Sequence, residues 1–334
     1  MDVKTLTLAL LASTALAGHA FAQETSASDT GMTPQESSSA DTSEEDLADS
    51  EADLIDELNI GVLGGENAQD RMTANQCLAD YAAERLGVDV NIFTPADYNG
   101  VIQGLLGGSL DMAWLGASAY AAIHLQDPET VEPVLVKTNL DGSYSYHSIG
   151  FARTDSGITS LEDMEGKVFG FGDPNSTSGY LIPSVEIPAE GESITMEPGE
   201  YFSDVVFTGG HEQTIVAVNN GDIDAGVTWA DGLGNWEDGY NSGALRKASD
   251  AGIVDMNNLV EIWRSKPIPE GPVVLRTELP QEVKDEMVNL VENLHSIDED
   301  CAYGVAAGET AGFRPIGHEA YETIVEVRRR EIGG

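Results

Sequence analysis

The chain has 334 residues, with 58 acidic and 16 basic side chains and a net charge of −42 at pH 7. Such a charge repels the phosphates of nucleic acids and of anionic lipids, so neither is expected as a partner. We expect a solvated acidic surface suited to high salt. A site for an anion must depend on local dipoles, because the overall field opposes it.

The first 22 residues have the pattern of a signal peptide. Lys4 precedes an apolar run from Leu6 to Ala17, and Ala20-Phe21-Ala22 fits a cleavage site. The run is shorter than the roughly 20 residues that span a bilayer. No cysteine lies near the expected cut after Ala22, so no lipid anchor is expected there. We predict export and a periplasmic location.

Residues 23–56 form a second segment with an unusual composition. They are mostly Ser, Thr, Ala, Asp and Glu, with few apolar side chains. Such a segment buries too little apolar surface to offset the entropy lost on ordering, which predicts an acidic, disordered tether. The rest of the chain is long enough for two lobes of ordinary domain size.

The chain contains two cysteines, Cys77 and Cys301. Disulfides persist outside the inner membrane, so a bridge between the two is one possibility. Two buried free thiols are the other, and the sequence does not decide between them. There is no CxxC pair and no cysteine spacing typical of a metal site, so no metal is predicted.

Beyond residue 56, short apolar runs alternate with amphipathic runs. The first expected strands are Leu58–Leu63, Val88–Phe93, Leu110–Leu115, Val131–Thr138 and Tyr146–Arg153. The helices among them are Asn67–Leu86, Asp97–Leu106 and Ser118–His124. A second part has strands Lys167–Phe171, Asp204–Phe207, Ile223–Val227 and Leu259–Trp263, with helices Gly179–Val185 and His211–Asn219. The chain ends with a strand, Val273–Arg276, and helices Gln281–Leu294, Asp298–Ala307 and His318–Ile332.

This order of elements indicates an α/β fold with mostly parallel sheets covered by helices. We predict two α/β lobes. Residues 57–150 and 271–334 form the first lobe, and residues 151–270 form the second. The chain then crosses between the lobes twice, near residue 150 and near residue 270, and the two crossings form a hinge.

Polar side chains follow the predicted strands at their carboxyl ends, where ligands bind in open α/β sheets. They are Tyr98, Tyr120, Ser176, Thr177, Ser178, His211 and Asp231, and Glu270 lies at the second crossing. We expect these residues to face a cleft between the lobes. Each also has a structural explanation: packing for the two tyrosines, helix capping for the histidine and Asp231, and a solvated loop for Glu270.

The segment Asp173–Tyr180 carries the sharpest single signal. It places three consecutive hydroxyls and Gly179 directly before a predicted helix. The first N–H groups of a helix have no intrahelical acceptor, and the helix dipole adds positive partial charge, so this segment favours an anion without requiring a lysine. An ordinary Ser or Thr N-cap is the alternative. Three hydroxyls exceed what capping requires.

Four segments in this order resemble one known family. They are DYNGVIQGLLGGSLDMAWLGASAYA, DPNSTSGYLIP, TGGHEQTIVAVNNGDIDAG and IPEGPVVLR. The chain from Asn59 to Arg330 is similar to the phosphate-, phosphite- and phosphonate-binding subunits of ATP-driven importers. The resemblance implies a type II periplasmic-binding-protein fold, an inner-membrane ABC permease as partner, and no cofactor. We expect a monomer.

The resemblance also implies roles for the candidate residues. A phosphorus oxyanion is expected on Ser176, Thr177 and Ser178, with Tyr98, Tyr120 and His211 around it. In relatives that bind aminoalkyl phosphonates, carboxylates hold the amine, and by position these fall near Asp231 and Glu270. If both acids line the cleft, 2-aminoethylphosphonate is favoured. If neither does, methylphosphonate, phosphite or phosphate is favoured instead.

Functions other than binding and import have less support in the sequence. No GxSxG, P-loop, HExxH or GxGxxG motif is present, so we do not predict an enzyme. A Ser–His pair formed by Ser176–Ser178 and His211 is a remote hydrolase alternative. Sulfonate binders share the expected fold, and a periplasmic sensor would use the same kind of pocket. These two alternatives stay open.

Overall fold

The computed structural model describes residues 54–64 and 67–333. The predicted signal peptide, and the predicted tether up to residue 53, lie outside the described residues. None of the described helices combines the length and the apolar character needed to cross a bilayer.

The described part of the chain is built from alternating strands and helices. Its strands are β1 Glu57–Val62, β2 Asp89–Phe93, β3 Met112–Trp114, β4 Val131–Thr138, β5 Ser145–Arg153, β6 Val168–Phe171, β7 Asp204–Phe207, β8 Ala225–Ala230, β9 Leu259–Arg264, β10 Ile268–Pro269, β11 Pro272–Arg276 and β12 Gly312–Pro315. Its helices are α1 Ala68–Leu86, α2 Tyr98–Leu106, α3 Ala117–Gln126, α4 Ile182–Ala189, α5 His211–Asn220, α6 Ala244–Asp250, α7 Gln281–Ile297, α8 Glu299–Val305 and α9 Glu322–Gly333.

Two sheets of six strands each organise the described residues. The first has the order β12-β4-β11-β3-β1-β2, and the second has the order β10-β5-β8-β6-β7 with β9 beside β5. Strand β1 pairs in parallel with β2 and β3, and β6 pairs in parallel with β7 and β8. The other pairings are antiparallel, so our expectation of mostly parallel sheets was wrong. Strand β4 leads out of the first sheet and β11 leads back in, so the two run in opposite directions.

The chain passes from the first sheet to the second between β4 and β5, and it returns between β10 and β11. We predicted the first crossing near residue 150, which falls inside β5. All of β5 belongs to the second sheet, because its register partners lie in β8, β9 and β10. The first residues of β5 extend into the hinge, and its apolar run continues from there without a break. The sequence pattern therefore does not mark where the chain changes sheets.

Helices cover both faces of the first sheet. On one face, α7 presents Val283, Met287, Leu290, Val291 and Leu294 to the sheet, all of them buried. This spacing places the five side chains on one helical stripe, and each fully buried aliphatic side chain contributes about 1.5–3 kcal/mol. The opposite face packs against α2, α3 and α9.

A disulfide joins Cys77 in α1 to Cys301 in α8, with the Cα atoms 5.9 Å apart. It links two helices that pack on the same face of the first sheet, although they are 224 residues apart in the chain. The structure therefore decides between the two states that the sequence left open, in favour of the bridge.

Candidate functional site

A cavity of about 840 Å³ lies between the two sheets. Six of the eight predicted site residues line it: Tyr98, Ser176, Thr177, Ser178, His211 and Glu270. Side chains that the sequence reasoning did not select also line it, among them Lys137 and Tyr146. Two groups of its lining side chains differ in chemistry, and we call the parts of the cavity around them the hydroxyl end and the lysine end. The hydroxyl end contains Ser176, Thr177 and Ser178, and the lysine end contains Lys137 and Glu270.

The hydroxyl end is built on a π-helical turn, Thr177–Leu181, which continues into α4. The Leu181 N–H donates to the Ser176 carbonyl five residues earlier, at 3.0 Å. Pro183 has no N–H to donate to the carbonyl of Gly179, and that carbonyl instead accepts from the Gly172 N–H at 2.9 Å. The turn is thereby held against the end of β6, and its first residues, Thr177 and Ser178, line the cavity.

Ser176 has the capping role that was the alternative to anion binding. Its Oγ accepts from the Gly179 N–H at 3.0 Å and lies 3.3 Å from His211 Nε2. The other ring nitrogen of His211 lies 3.2 Å from Thr228 Oγ1. The imidazole is therefore held between two hydroxyls at the beginning of α5, with its edge at the cavity.

Thr177 faces the beginning of a helix from the first lobe. Its Oγ1 accepts from the Ser118 N–H at 2.9 Å, in the first turn of α3. A Cβ atom at Gly116, the N-cap of α3, would lie 3.1 Å from the same oxygen, so glycine permits this close approach. Gly116 makes no side-chain cap. Two helix N-termini from different lobes therefore converge here, and both favour negative charge.

Tyr146 also contributes to the hydroxyl end, although the sequence reasoning assigned it only to a strand. Burial raises the pKa of the Tyr146 phenol, while hydrogen bonds with Ser178 and Thr177 lower it in part. Ser148, two residues along β5, donates from its Oγ to the Ser178 carbonyl at 2.6 Å. Alternate residues of a strand share a face. Two polar side chains, Tyr146 and Ser148, on one face of an otherwise apolar strand could therefore have indicated from the sequence that this strand contributes to the site.

Tyr120 lies outside the cavity, so the expectation that it faces the ligand is corrected. Its side chain is 1% exposed, and its hydroxyl lies 2.8 Å from His318 Nδ1. Its ring packs edge-on against Tyr321, with the ring centroids 5.3 Å apart. Burial raises the pKa of Tyr120 to about 12. The α3 helix turns this ring towards α9, which leaves its backbone N-terminus at the cavity.

Asp231 is the second residue that the structure does not place at the cavity wall. It is buried, and its Oδ1 accepts from the Leu233 N–H at 3.1 Å, which closes a local turn. The Asp231 N–H donates to the Ser242 carbonyl at 2.9 Å. Burial raises the pKa of Asp231, and hydrogen bonds and Lys137 lower it in part. Asp231 therefore closes a turn and does not cap the next helical segment, Trp236–Asp238, whose N-cap is Asn235.

The lysine end of the cavity contains an ion pair. Lys137 Nζ lies 3.7 Å from Glu270 Oε1 and donates to Ser242 Oγ at 2.7 Å. Glu270 is buried rather than solvated, and burial raises its pKa while Lys137 lowers it. The sequence reasoning missed Lys137 because a single lysine at the end of a strand is indistinguishable from a surface residue. In the structure, β4 and the Glu270 segment meet at the hinge.

Direct hydrogen bonds join the two lobes around the cavity. The Tyr98 N–H, at the start of α2, donates to Asp173 Oδ2 at 3.2 Å. Arg328 in α9 donates to the Pro174 carbonyl at 3.0 Å and to Asn175 Oδ1 at 2.6 Å. These contacts hold the loop before Ser176 against the first lobe, so the structure is a closed arrangement.

Comparisons with known proteins agree on one family. Residues 60–321 match the family described as "ABC transporter, phosphonate, periplasmic substrate-binding protein". The phosphonates-binding periplasmic protein of Escherichia coli K12 is 29% identical over 277 residues, which cover 81% of this chain and 75% of that protein. A phosphate-import protein of Mycolicibacterium smegmatis is 27% identical over 256 residues, which cover 73% of this chain and 74% of that protein.

Solved structures show the same fold. A binding component of an ABC phosphonate transporter from Pseudomonas aeruginosa has a TM-score of 0.69 at 24% identity, covering 83% of this chain and 88% of that one. A Prochlorococcus marinus protein in complex with methylphosphonate has a TM-score of 0.68 at 18% identity, covering 83% of this chain and 98% of that one. The fold is therefore that of the type II periplasmic binding proteins, as predicted.

Proposed function

Because the chain belongs to the family of periplasmic substrate-binding proteins of phosphonate ABC transporters, we propose that it binds a small phosphonate or related phosphorus oxyanion for import. Proteins of this family are binding components and not enzymes. The observation that carries the proposal is the convergence of two helix N-termini on Thr177 Oγ1. The ligand would be released to an inner-membrane permease, and we expect the protein to act as a monomer.

The proposed anion site is the hydroxyl end of the cavity. We assign Thr177 and Ser178 as donors from the second lobe, with Tyr98 and Tyr146 as phenols from the first lobe and the hinge strand. Uncharged donors suit this site, because helix dipoles and N–H groups stabilise an anion locally while the protein as a whole carries −42. A buried dianion also needs several hydrogen bonds to offset its lost hydration.

Ser176 and His211 complete the site in a supporting role. The Ser176 hydroxyl caps the turn and contacts the imidazole, so it holds both in place at the cavity wall. Both ring nitrogens of His211 already face hydroxyls, those of Ser176 and Thr228, so we expect the imidazole to position Ser176 at the site. A hydrolytic Ser–His pair is not proposed, because Ser176 serves as the cap of the turn and proteins of this family are binding components.

Ligand binding and lobe closure are coupled in this proposal. The donors come from both lobes, so a ligand contacts its full set of partners only when the lobes are closed. It then stabilises the closed form by its differential affinity for the two states. The hydrogen bonds from Tyr98 and Arg328 to the Asp173–Asn175 loop form in the same state.

Titration calorimetry of the purified protein tests the proposal. The ligands are methylphosphonate, 2-aminoethylphosphonate, phosphite, phosphate and taurine, at one pH and ionic strength. Heat of binding is expected with at least one phosphorus oxyanion. Heat with taurine alone would assign the site to sulfonates, and turnover of any ligand would contradict a purely binding role. Uptake in cells lacking the protein separates import from sensing.

A further inference from the structure

Lys137 places a positive charge inside the cavity. Its side chain is 8% exposed, and its ammonium lies 5.5 Å from the centroid of the Trp229 ring. Nζ donates to Ser242 Oγ at 2.7 Å and lies 3.7 Å from Glu270 Oε1. A buried ammonium is unfavourable unless it is paired and hydrogen-bonded, and all of these contacts satisfy that requirement.

Two carboxylates lie near this ammonium. Glu270 lines the cavity, and Asp231 lies behind it against Ser242. Burial raises the pKa of each carboxyl group, and the charge of Lys137 lowers both. One acid at the cavity wall and a second one near it make this region favourable for a positive charge. In this chain a side chain of the protein supplies that charge.

The lysine is held from both lobes. It leaves the first sheet at β4, whereas Ser242 belongs to the second lobe and pairs there with Asp231 through the backbone. Moving the ammonium away would break its hydrogen bond across the cleft and leave Glu270 unpaired in the closed state. A ligand amine would therefore lie close to the positively charged Lys137 ammonium, and displacing that ammonium would cost free energy.

We infer that Lys137 is a specificity-determining residue that occupies the position of a ligand ammonium and selects phosphorus oxyanions without an amine. The inference rests on the proposed function. It favours methylphosphonate, phosphite or phosphate over 2-aminoethylphosphonate. The expectation of 2-aminoethylphosphonate required two carboxylates that were available to an amine, whereas Glu270 already has Lys137 as its ion-pair partner and Asp231 does not line the cavity.

The test compares affinities for methylphosphonate and 2-aminoethylphosphonate by titration calorimetry. The wild-type protein is expected to bind methylphosphonate at least tenfold more tightly. Lys137→Ala removes the charge and leaves space beside Glu270, so the affinity ratio should shift by at least tenfold towards the amine ligand. Lys266→Ala, at an exposed lysine outside the cavity, is the control and should keep the wild-type ratio.

The outcomes separate the two proposals. Tighter wild-type binding of 2-aminoethylphosphonate overturns the role of Lys137 but supports the proposed function. The same holds if Lys137→Ala weakens both ligands equally, because the lysine would then act on the anion and not on the amine. Wild-type protein that binds no phosphorus oxyanion overturns the proposed function itself. If Lys137→Ala does not fold, Lys137→Met removes the charge at nearly constant volume and should shift the ratio in the same direction; an unchanged ratio in that variant overturns the role of Lys137.

Discussion

The Thr177 hydroxyl accepts a hydrogen bond of 2.9 Å from the Ser118 N–H, so one oxygen joins the beginnings of two helices from different lobes. The contact concentrates N–H groups and the positive ends of two helix dipoles at one point of the cavity. This local field opposes the strongly negative field of the whole molecule. It also makes Thr177 a link between anion binding and closure.

Replacing Thr177 is expected to weaken anion binding. Thr177→Ala removes a hydroxyl at the anion site and its contact with α3, so the affinity for methylphosphonate should fall by at least about 1.5 kcal/mol, roughly tenfold. Calorimetry measures the change, and Thr177→Ser should restore most of the affinity. Thr323→Ala, on an exposed position of α9, is the control. Unchanged affinity in Thr177→Ala would remove this residue from the site.

The two tyrosines Tyr146 and Tyr120 give a matched pair of variants. Tyr146→Phe removes a phenol that lines the cavity, and the loss of a hydrogen bond to a charged ligand should lower affinity about tenfold or more. Tyr120→Phe removes a hydroxyl that contacts the half-buried His318 outside the cavity, so affinity should stay within about twofold. Titration of both variants measures this. A larger loss of affinity in Tyr120→Phe than in Tyr146→Phe would assign Tyr120 to the site and exclude Tyr146.

Reduction of the disulfide should destabilise the protein. The Cys77–Cys301 bridge closes a loop of 224 residues, and its loss should lower the free energy of unfolding by about 2–5 kcal/mol. Urea denaturation of the double variant Cys77→Ala/Cys301→Ala measures the change. Reductant should lower the free energy of unfolding of the wild-type protein to nearly that of the variant, and it should leave the value for the variant unchanged. Equal stability of both proteins without reductant would show that the bridge contributes nothing.

His124 predicts a dependence of stability on pH. Burial, His318 and Arg329 lower the pKa of His124 below its ordinary value of 6.5. Below pH 6.5 the unfolded chain therefore binds a proton that the folded protein binds less well, so the free energy of unfolding falls as the pH decreases through this window. His124→Gln should lose less stability between pH 7.5 and 5.5, measured by urea denaturation. Identical losses in both proteins would contradict this assignment.

Much of the fold and part of the site could be predicted from local sequence patterns. The apolar stripe of α7 has a helical period, and the hydroxyl segment before α4 has the composition of a helix N-terminus. Such signals arise within a few residues of one another, because periodicity and capping are local properties. The sequence alone therefore determined the α/β fold and the position of the hydroxyl end.

Only the tertiary structure decided which distant residues meet. The sequence indicated Tyr120 and not Tyr146 as a site residue, but the packing of α3 buries the first ring, and β5 brings the second to Ser178. Lys137 and Glu270 lie far apart in the chain and form an ion pair only because β4 and the return crossing meet. Side-chain direction and long-range pairing depend on how the elements pack, and no local pattern encodes that packing.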